Sequence, residues 1–278
     1  VDSVPTDGRT GRKLMEEREL AELRAFALEA ARAAGRVTLE YFGGALDVER
    51  KADRSLVTSA DRRAEELLRE RLAARCPKDG VIGEEFGVEE GSSGRRWTLD
   101  PIDGTFGFVH GVPLFSVLIG LLNGEEAVLG VVHLPALKET VAAVRGSGCW
   151  MWRGGADPVP SRVSCEAAIE DALVLATDFR RLPGAPGAGY ERFASAGELR
   201  TWGDAYGHAL VATGRADAMI DPRMKPWDSV PLQPIVEEAG GRFSTLAGAS
   251  LPAGGSAVST NGLIHDEVLE RLAASTKR

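Results

Sequence analysis

Cysteine, histidine and aromatic residues are scarce in this sequence. Its 278 residues include 3 Cys and 4 His, and Phe, Trp and Tyr together make up 6%. Cys76, Cys149 and Cys165 are scattered. That spacing excludes a disulfide framework and a paired-cysteine zinc site, and it fits a reducing cytoplasm. No apolar run approaches the ~20 residues of a membrane span. The opening Val1-Asp2-Ser3-Val4-Pro5 has neither the basic nor the apolar stretch of a signal peptide. Positive charge is also in deficit: a formal net charge of −8 argues against a nucleic-acid surface held by general electrostatics. An anionic substrate would therefore need local positive charge, which bound metal can supply. Repeats and low-complexity tracts are absent.

The remaining composition, 44% hydrophobic and 27% charged, is that of an ordinary globular protein with enough chain for one large domain or two moderate ones. Residues 1–12 read as a flexible tail. From about Leu14 to Tyr41, apolar residues at three- and four-residue steps predict a long amphipathic helix. A second helix carries Leu67, Leu68 and Leu72 and stops before Pro77. Val81-Ile82 and Trp97 to Leu99 read as buried strands. Phe115 to Leu122 and Ala127 to Val132 form a hairpin about Asn123-Gly124, and Thr140 to Val144 with Cys149 to Trp152 form another. Residues 13–150 are thus expected to be an α+β domain, two helices against an antiparallel sheet. Residues 151–278 alternate. Ala172 to Ala176, Leu199 to Thr201 and Ala216 to Ile220 read as strands, Pro183 to Gly189 as a loop, and Asp204 to Thr213, Val230 to Ala239 and Ile264 to Ala273 as helices of an α/β domain.

One stretch organises the chain: Trp97-Thr98-Leu99-Asp100-Pro101-Ile102-Asp103-Gly104-Thr105. A strand runs into two acids separated by a proline, which stiffens the backbone and allows both carboxylates to point to one side of a rigid turn. Carboxylates and backbone carbonyls are the hard oxygen ligands that Mg²⁺ prefers. Gly104 permits close backbone approach, and amides at the start of the next element suit a phosphate. Glu84 leaves a strand end much as Asp100 does, so two such ends side by side would gather three carboxylates, as a two-metal site requires. Asp61 begins the second helix, where Thr58 three residues earlier forms a capping box with it. Asp228, in Pro226-Trp227-Asp228, precedes a helix with Pro231 in its first turn, so a plain N-cap explains it equally well.

Together, Leu56-Val57-Thr58 through Asp61, Gly83-Glu84-Glu85, Asp100 through Thr105, and Pro226-Trp227-Asp228 followed by Glu237 to Gly241 resemble the inositol monophosphatase superfamily of Mg²⁺-dependent, lithium-sensitive phosphatases. The blocks occur in the family order and span nearly the whole chain. The resemblance implies a layered αβαβα sandwich, shared with fructose-1,6-bisphosphatase-like proteins, and a homodimer. It implies two or three Mg²⁺ ions held by Glu84, Asp100, Asp103, Asp228 and the Ile102 carbonyl, with Asp61 at a looser position. Thr105 and Glu84 would position and activate the attacking water, and the backbone amides of Gly104 and Thr105 would hold the phosphate.

Gly203-Asp204-Ala205-Tyr206-Gly207-His208 resembles the histidinol-phosphate phosphatase branch. That likeness places Asp204 at the non-phosphate end of the substrate, where a carboxylate favours an ammonium or imidazolium over a neutral polyol. An N-cap role for Asp204 is the alternative. The substrate implied is L-histidinol phosphate; inositol monophosphate or another small sugar or nucleotide phosphate is the rival, and a catalytically silent phosphate-binding protein the rival from another class. Phe106-Gly107 departs from the polar or basic residues usual in the family, and Val230-Pro231 from the small residues after the Trp-Asp pair. The histidines need no catalytic role; His208 reads as a partly exposed structural residue, and Trp150 and Trp152 as packing or dimer contacts.

Overall fold

Alanines and leucines three and four residues apart give the first helix a buried face of small side chains. α1 (Gly8–Tyr41) buries Leu23, Ala27, Ala30, Ala31 and Ala34. The computed structural model describes residues 8–44, 47–51, 56–182, 188–250 and 254–273. Because α1 begins at Gly8, it takes in five residues expected to belong to the tail; residues 1–7 lie outside the described residues. β1 (Val48–Arg50) and β2 (Leu56–Thr58) form an antiparallel ribbon, and α2 (Ser59–Arg75) stops two residues before Pro77 as predicted.

Eight strands make the larger sheet: β3 (Gly80–Gly83), β4 (Gly87–Glu89), β5 (Arg95–Asp103), β6 (Ser116–Asn123), β7 (Glu126–Leu134), β8 (Glu139–Val144), β9 (Cys149–Arg153) and β10 (Val159–Pro160), with a short α3 (Thr105–Val109) after β5. Their order is β10-β9-β8-β7-β6-β5-β3-β4. The expected antiparallel sheet is in fact mixed. β4 folds back on the outer side of β3, so β5 enters on the inner side and pairs with β3 in parallel. That pairing links residues far apart in sequence and leaves no local signal.

The smaller sheet has the order β12-β11-β13-β15-β14. Its strands are β11 (Leu173–Ala176), β12 (Glu198–Arg200), β13 (Ala218–Met224), β14 (Arg242–Ser244) and β15 (Gly255–Thr260). The helices of this half are α4 (Ala188–Arg192), α5 (Asp204–Ala212), α6 (Pro226–Glu238) and α7 (His265–Ala273). Of the loop expected over Pro183 to Gly189, residues 183–187 lie outside the described residues and Ala188 onward is helical. α6 begins four residues earlier than Val230, because Pro226 sits at its first position, where a missing N–H costs nothing; Pro231 and Pro234 lie inside the helix.

Five layers result. α1 and α2 cover one face of the large sheet, and α5 and α6 fill the space between the sheets, α6 touching β5 to β9 on one side and β14 and β15 on the other. Val268 and Leu272 of α7 pack with Val174, Ala218, Ile220 and Val258 on the far face of the small sheet, and α4 lies against α7. The layering matches the αβαβα sandwich expected from the sequence. α6 rests directly on the β7 backbone: a Cβ added at Gly130 would lie 1.8 Å from the Pro231 carbonyl oxygen. This contact fixes the depth of the helix that carries Asp228.

Candidate active site

Parallel pairing of β3 and β5 brings their carboxyl ends side by side. Gly83 stands opposite Leu99, and the Glu84 N–H donates to the Leu99 carbonyl at 3.1 Å. Glu84 therefore leaves one strand where Asp100 continues the next. The expected rigid turn at Asp100 and Pro101 is instead part of the strand, with the register against β6 shifting between Asp100 and Asp103. In a regular strand, residues three apart point to opposite faces; the irregularity re-aims them, and proline without its N–H suits such a break. The Ile102 N–H donates to Asp100 Oδ1 at 3.0 Å, and the Thr105 hydroxyl donates to the Ile102 carbonyl at 2.9 Å.

α6 supplies a fourth acid. Asp228 is the third residue of its helix, not the N-cap, which is Lys225; Asp228 Oδ2 accepts the Lys225 N–H at 2.7 Å. Asp61 does the same on α2: its Oδ2 accepts the Thr58 N–H at 2.7 Å and the Thr58 hydroxyl at 2.6 Å, completing the capping box read from the sequence. In each, one oxygen is tied to the helix's own cap and the other remains for the site. Asp61 Oδ1 is buried without a hydrogen-bond partner. One carboxylate oxygen each from Asp100, Asp103 and Asp228 lies within 4.8 Å of the others.

Charge gathered this closely in a buried place raises carboxyl pKa values. Burial, then Glu84 and the neighbouring aspartates, holds Asp100 well above its usual range, and burial, then Asp204 and Asp228, does so for Asp103. Burial pushes Asp228 up to about 8 and Asp61 to about 6, with Glu84 adding to both. The structure thus brings Asp100, Asp103 and Asp228 together and sets Glu84 within electrostatic reach of Asp61, Asp100 and Asp228. Repelling hard-oxygen donors with an unpartnered Asp61 oxygen fit a divalent cation, whose charge would relieve the repulsion.

Three supporting residues escaped the sequence reading. Lys51 reaches Glu84 at 2.7 Å and Glu85 at 2.6 Å. Burial alone would lower its pKa, but the two carboxylates hold the ammonium charged above its ordinary range. Glu65, fully buried, accepts the backbone N–H groups of Glu85 at 2.7 Å and Phe86 at 3.2 Å and pairs with Arg69 at 2.8 Å. In the sequence, Glu65 and Arg69 are an ordinary helical i,i+4 pair, so nothing marked a reach across twenty residues. Asp221 accepts the Thr177 hydroxyl at 2.8 Å, and Thr177 Oγ1 accepts the Asp204 N–H at 3.0 Å.

That chain of bonds holds Asp204 in an unusual backbone state. Gly203 is the N-cap of α5, and Asp204 is the first helical residue, with φ 55° in the left-handed region. The plain N-cap explanation for Asp204 therefore fails. A Cβ on Gly104, itself at φ 81°, would come within 3.2 Å of Asp204 Oδ2, so the Asp204 carboxylate stands over the glycine of the phosphate-binding candidate. Burial, then Asp221, pushes its pKa up to about 6. The next amide, Ala205 N–H, donates to Asp103 Oδ2 at 2.8 Å, joining α5 to the acid cluster.

The histidines lie elsewhere. His208 is fully buried between the sheets rather than partly exposed, with Nδ1 2.6 Å from Ser259 Oγ, and burial draws its pKa down to about 3. His265 sits between the Ser244 and Thr260 hydroxyls. Phe106 is 70% exposed beside Thr105, and His110 stacks on it with ring centroids 4.3 Å apart. Trp152 packs against the core beneath α1.

Two sheets interleaved with three helical layers bring carboxylates from β5 and α6 together beside a left-handed glycine, and the family and relatives that the chain matches make this layered protein a phosphoric monoester hydrolase. The chain belongs to the inositol monophosphatase family, whose model matches residues 19–277. It is 44% identical to a histidinol-phosphatase of Chlorobaculum parvum, over 84% of this chain and 93% of that protein. It is 43% identical to a histidinol-phosphatase of Mycobacterium tuberculosis, over 89% of this chain and 96% of that one. Among solved structures, an IMPase of Thermotoga maritima superposes with a TM-score of 0.83 at 32% identity, covering 92% of this chain and 98% of its own.

Proposed function

We propose that this chain is a Mg²⁺-dependent phosphomonoesterase that hydrolyses L-histidinol phosphate to histidinol and phosphate, working as a homodimer in a reducing cytoplasm. In this reading residues 13–150 furnish most of the ligands and residues 151–278 supply Asp228 and Asp204. Glu84, Asp100, Asp103, Asp228 and the Ile102 carbonyl would hold two ions, and Asp61 a looser third. Bound there, the ions supply a water acidic enough to ionise near neutral pH and offset charge on the departing alkoxide. Thr105 and Glu84 orient the attacking water, and the Glu84 carboxylate takes its proton. The amides of Gly104 and Thr105 hold the phosphate oxygens.

The observation that carries the substrate assignment is the Asp204 carboxylate over Gly104, on the first residue of α5 and not its N-cap. A carboxylate beside the phosphate position attracts a cationic end on the same ester, as histidinol phosphate has, and gains little from a polyol. The two histidinol-phosphatase relatives support the same assignment. The test is phosphate release with Mg²⁺ from histidinol phosphate, inositol 1-phosphate and adenosine 3′,5′-bisphosphate at matched concentrations. A preference for histidinol phosphate that disappears in Asp204→Asn is expected. Equal rates on all three keep the phosphatase and remove the histidinol assignment, and no release from any ester makes the chain a silent phosphate binder.

A further inference from the structure

A cleft of about 540 Å³ opens between α1 and the β7 to β9 part of the large sheet, sharing no lining residue with the acid cluster. Arg32 and Arg36 stand one turn apart on α1, and Lys138 comes from the turn joining β7 to β8. None of the three has a carboxylate partner among the described residues. Glu139, next to Lys138, is already engaged by Arg153 at 3.0 Å and Arg215 at 2.9 Å, and Asp157 is the one acid on the lining among the described residues. In a chain of net charge −8, three cations left without counter-ions in one concavity leave it locally positive. His133, on the floor, feels both arginines: burial first, then Arg32 and Arg36, keep its ring neutral.

The walls suit an organic body as well as a charge. The Arg32 guanidinium lies over the Trp152 ring, 5.9 Å from its centroid, and Leu39, Pro135 and Pro158 complete an apolar side. Guanidinium groups pair with phosphate oxygens in a fixed fork, and the apolar side beside them, with the Trp152 indole under Arg32, suits the body of a flat organic ring. The volume is in the range of small-molecule sites. We propose that this cleft binds a small organic phosphate carrying a flat ring, a mononucleotide in chemical class, at a place distinct from the catalytic centre.

AMP, inorganic phosphate and adenosine, titrated into the 278-residue protein with Mg²⁺ and followed by calorimetry and tryptophan fluorescence, test this. AMP is expected to bind wild type and Asp103→Asn alike, to change the fluorescence of Trp152, and to bind about tenfold or more weakly to the Arg32→Ala/Arg36→Ala double variant. Alanine suits a helix, so that variant keeps α1. Its hydrolysis of histidinol phosphate, where wild type shows that activity, should stay within about twofold of wild type because neither arginine belongs to the acid cluster. Adenosine alone should not bind. AMP affinity unchanged in the double variant, or no fluorescence difference between wild type and Trp152→Phe on AMP addition, overturns the proposal. Phosphate binding as tightly as AMP overturns the organic-ligand assignment, and a change of oligomeric state in the double variant would make the cleft an interface between copies instead.

Discussion

Asp61 and Asp228 show how one residue type serves a helix and a site at once. Each is the third residue of its helix with one oxygen on the cap N–H, which fixes the carboxyl group and leaves its second oxygen for a ligand. Asparagine keeps that capping bond and removes the charge. Asp228→Asn, and Asp103→Asn, where the amide oxygen still accepts the Ala205 N–H, should therefore lose hydrolysis by about 10³-fold or more while retaining the fold. Melting of the metal-free variants should occur at or above the wild-type temperature, because a repelling charge is gone; retained turnover in either would refute the assignment. Asp204→Asn is the matching test of specificity, since asparagine tolerates the left-handed backbone that alanine does not. Loss of a charge-assisted hydrogen bond worth about 1.5–3 kcal/mol predicts a rise of roughly 10- to 100-fold in KM for histidinol phosphate and little change for inositol 1-phosphate. The acids themselves were legible in the sequence through their blocks and order. Their helical positions were not: an acid before a helix reads as an N-cap whether it is the cap or the third residue, and only the path of the chain decides.

Elements place these residues, and α6 depends on a glycine. Gly130 lets the helix sit on the β7 backbone, so Gly130→Ala must push the Pro231 carbonyl away and displace Asp228 with it. Overpacking of this kind costs about 1–3 kcal/mol. At about 2–4 °C per kcal/mol for a chain of this size, scanning calorimetry should show a loss of several degrees, accompanied by lower kcat. Unchanged melting and turnover would mean that α6 does not set the position of Asp228. Most helices and the long hairpins were legible because amphipathic period and turn residues are local. The break within β5 was not, because Asp-Pro reads as a turn when a bulged strand uses the same residues. His208 was misread for a related reason: α5 lies between two sheets, where both faces of a helix are buried, and periodicity has no polar side to find.

At the scale of the whole molecule, the acid cluster couples stability to pH and to cations. The folded pKa values of Asp228 and Asp61 lie above the ordinary 3.8, at about 8 and about 6. Such groups contribute stability that is fully present below about pH 4 and is lost as pH rises through their folded values. Metal-free protein should therefore melt at a lower temperature at pH 8 than at pH 5.5, with Mg²⁺ raising the melting temperature more at pH 8. A site saturated about 100-fold above Kd adds about 2.7 kcal/mol, or roughly 5–10 °C. A melting temperature that rises with pH in the metal-free protein, or an equal Mg²⁺ effect at both pH values, would contradict this coupling. The layered architecture was legible only through the assembled motifs, because no local pattern states which helices lie between the two sheets. The most direct measurement is phosphate release from histidinol phosphate and inositol 1-phosphate, each with Mg²⁺ and with a chelator, for wild type and Asp204→Asn. Mg²⁺-dependent release with a preference for histidinol phosphate that the variant loses is expected; release that survives chelation, or a preference indifferent to Asp204, would refute the metal site or the role of Asp204.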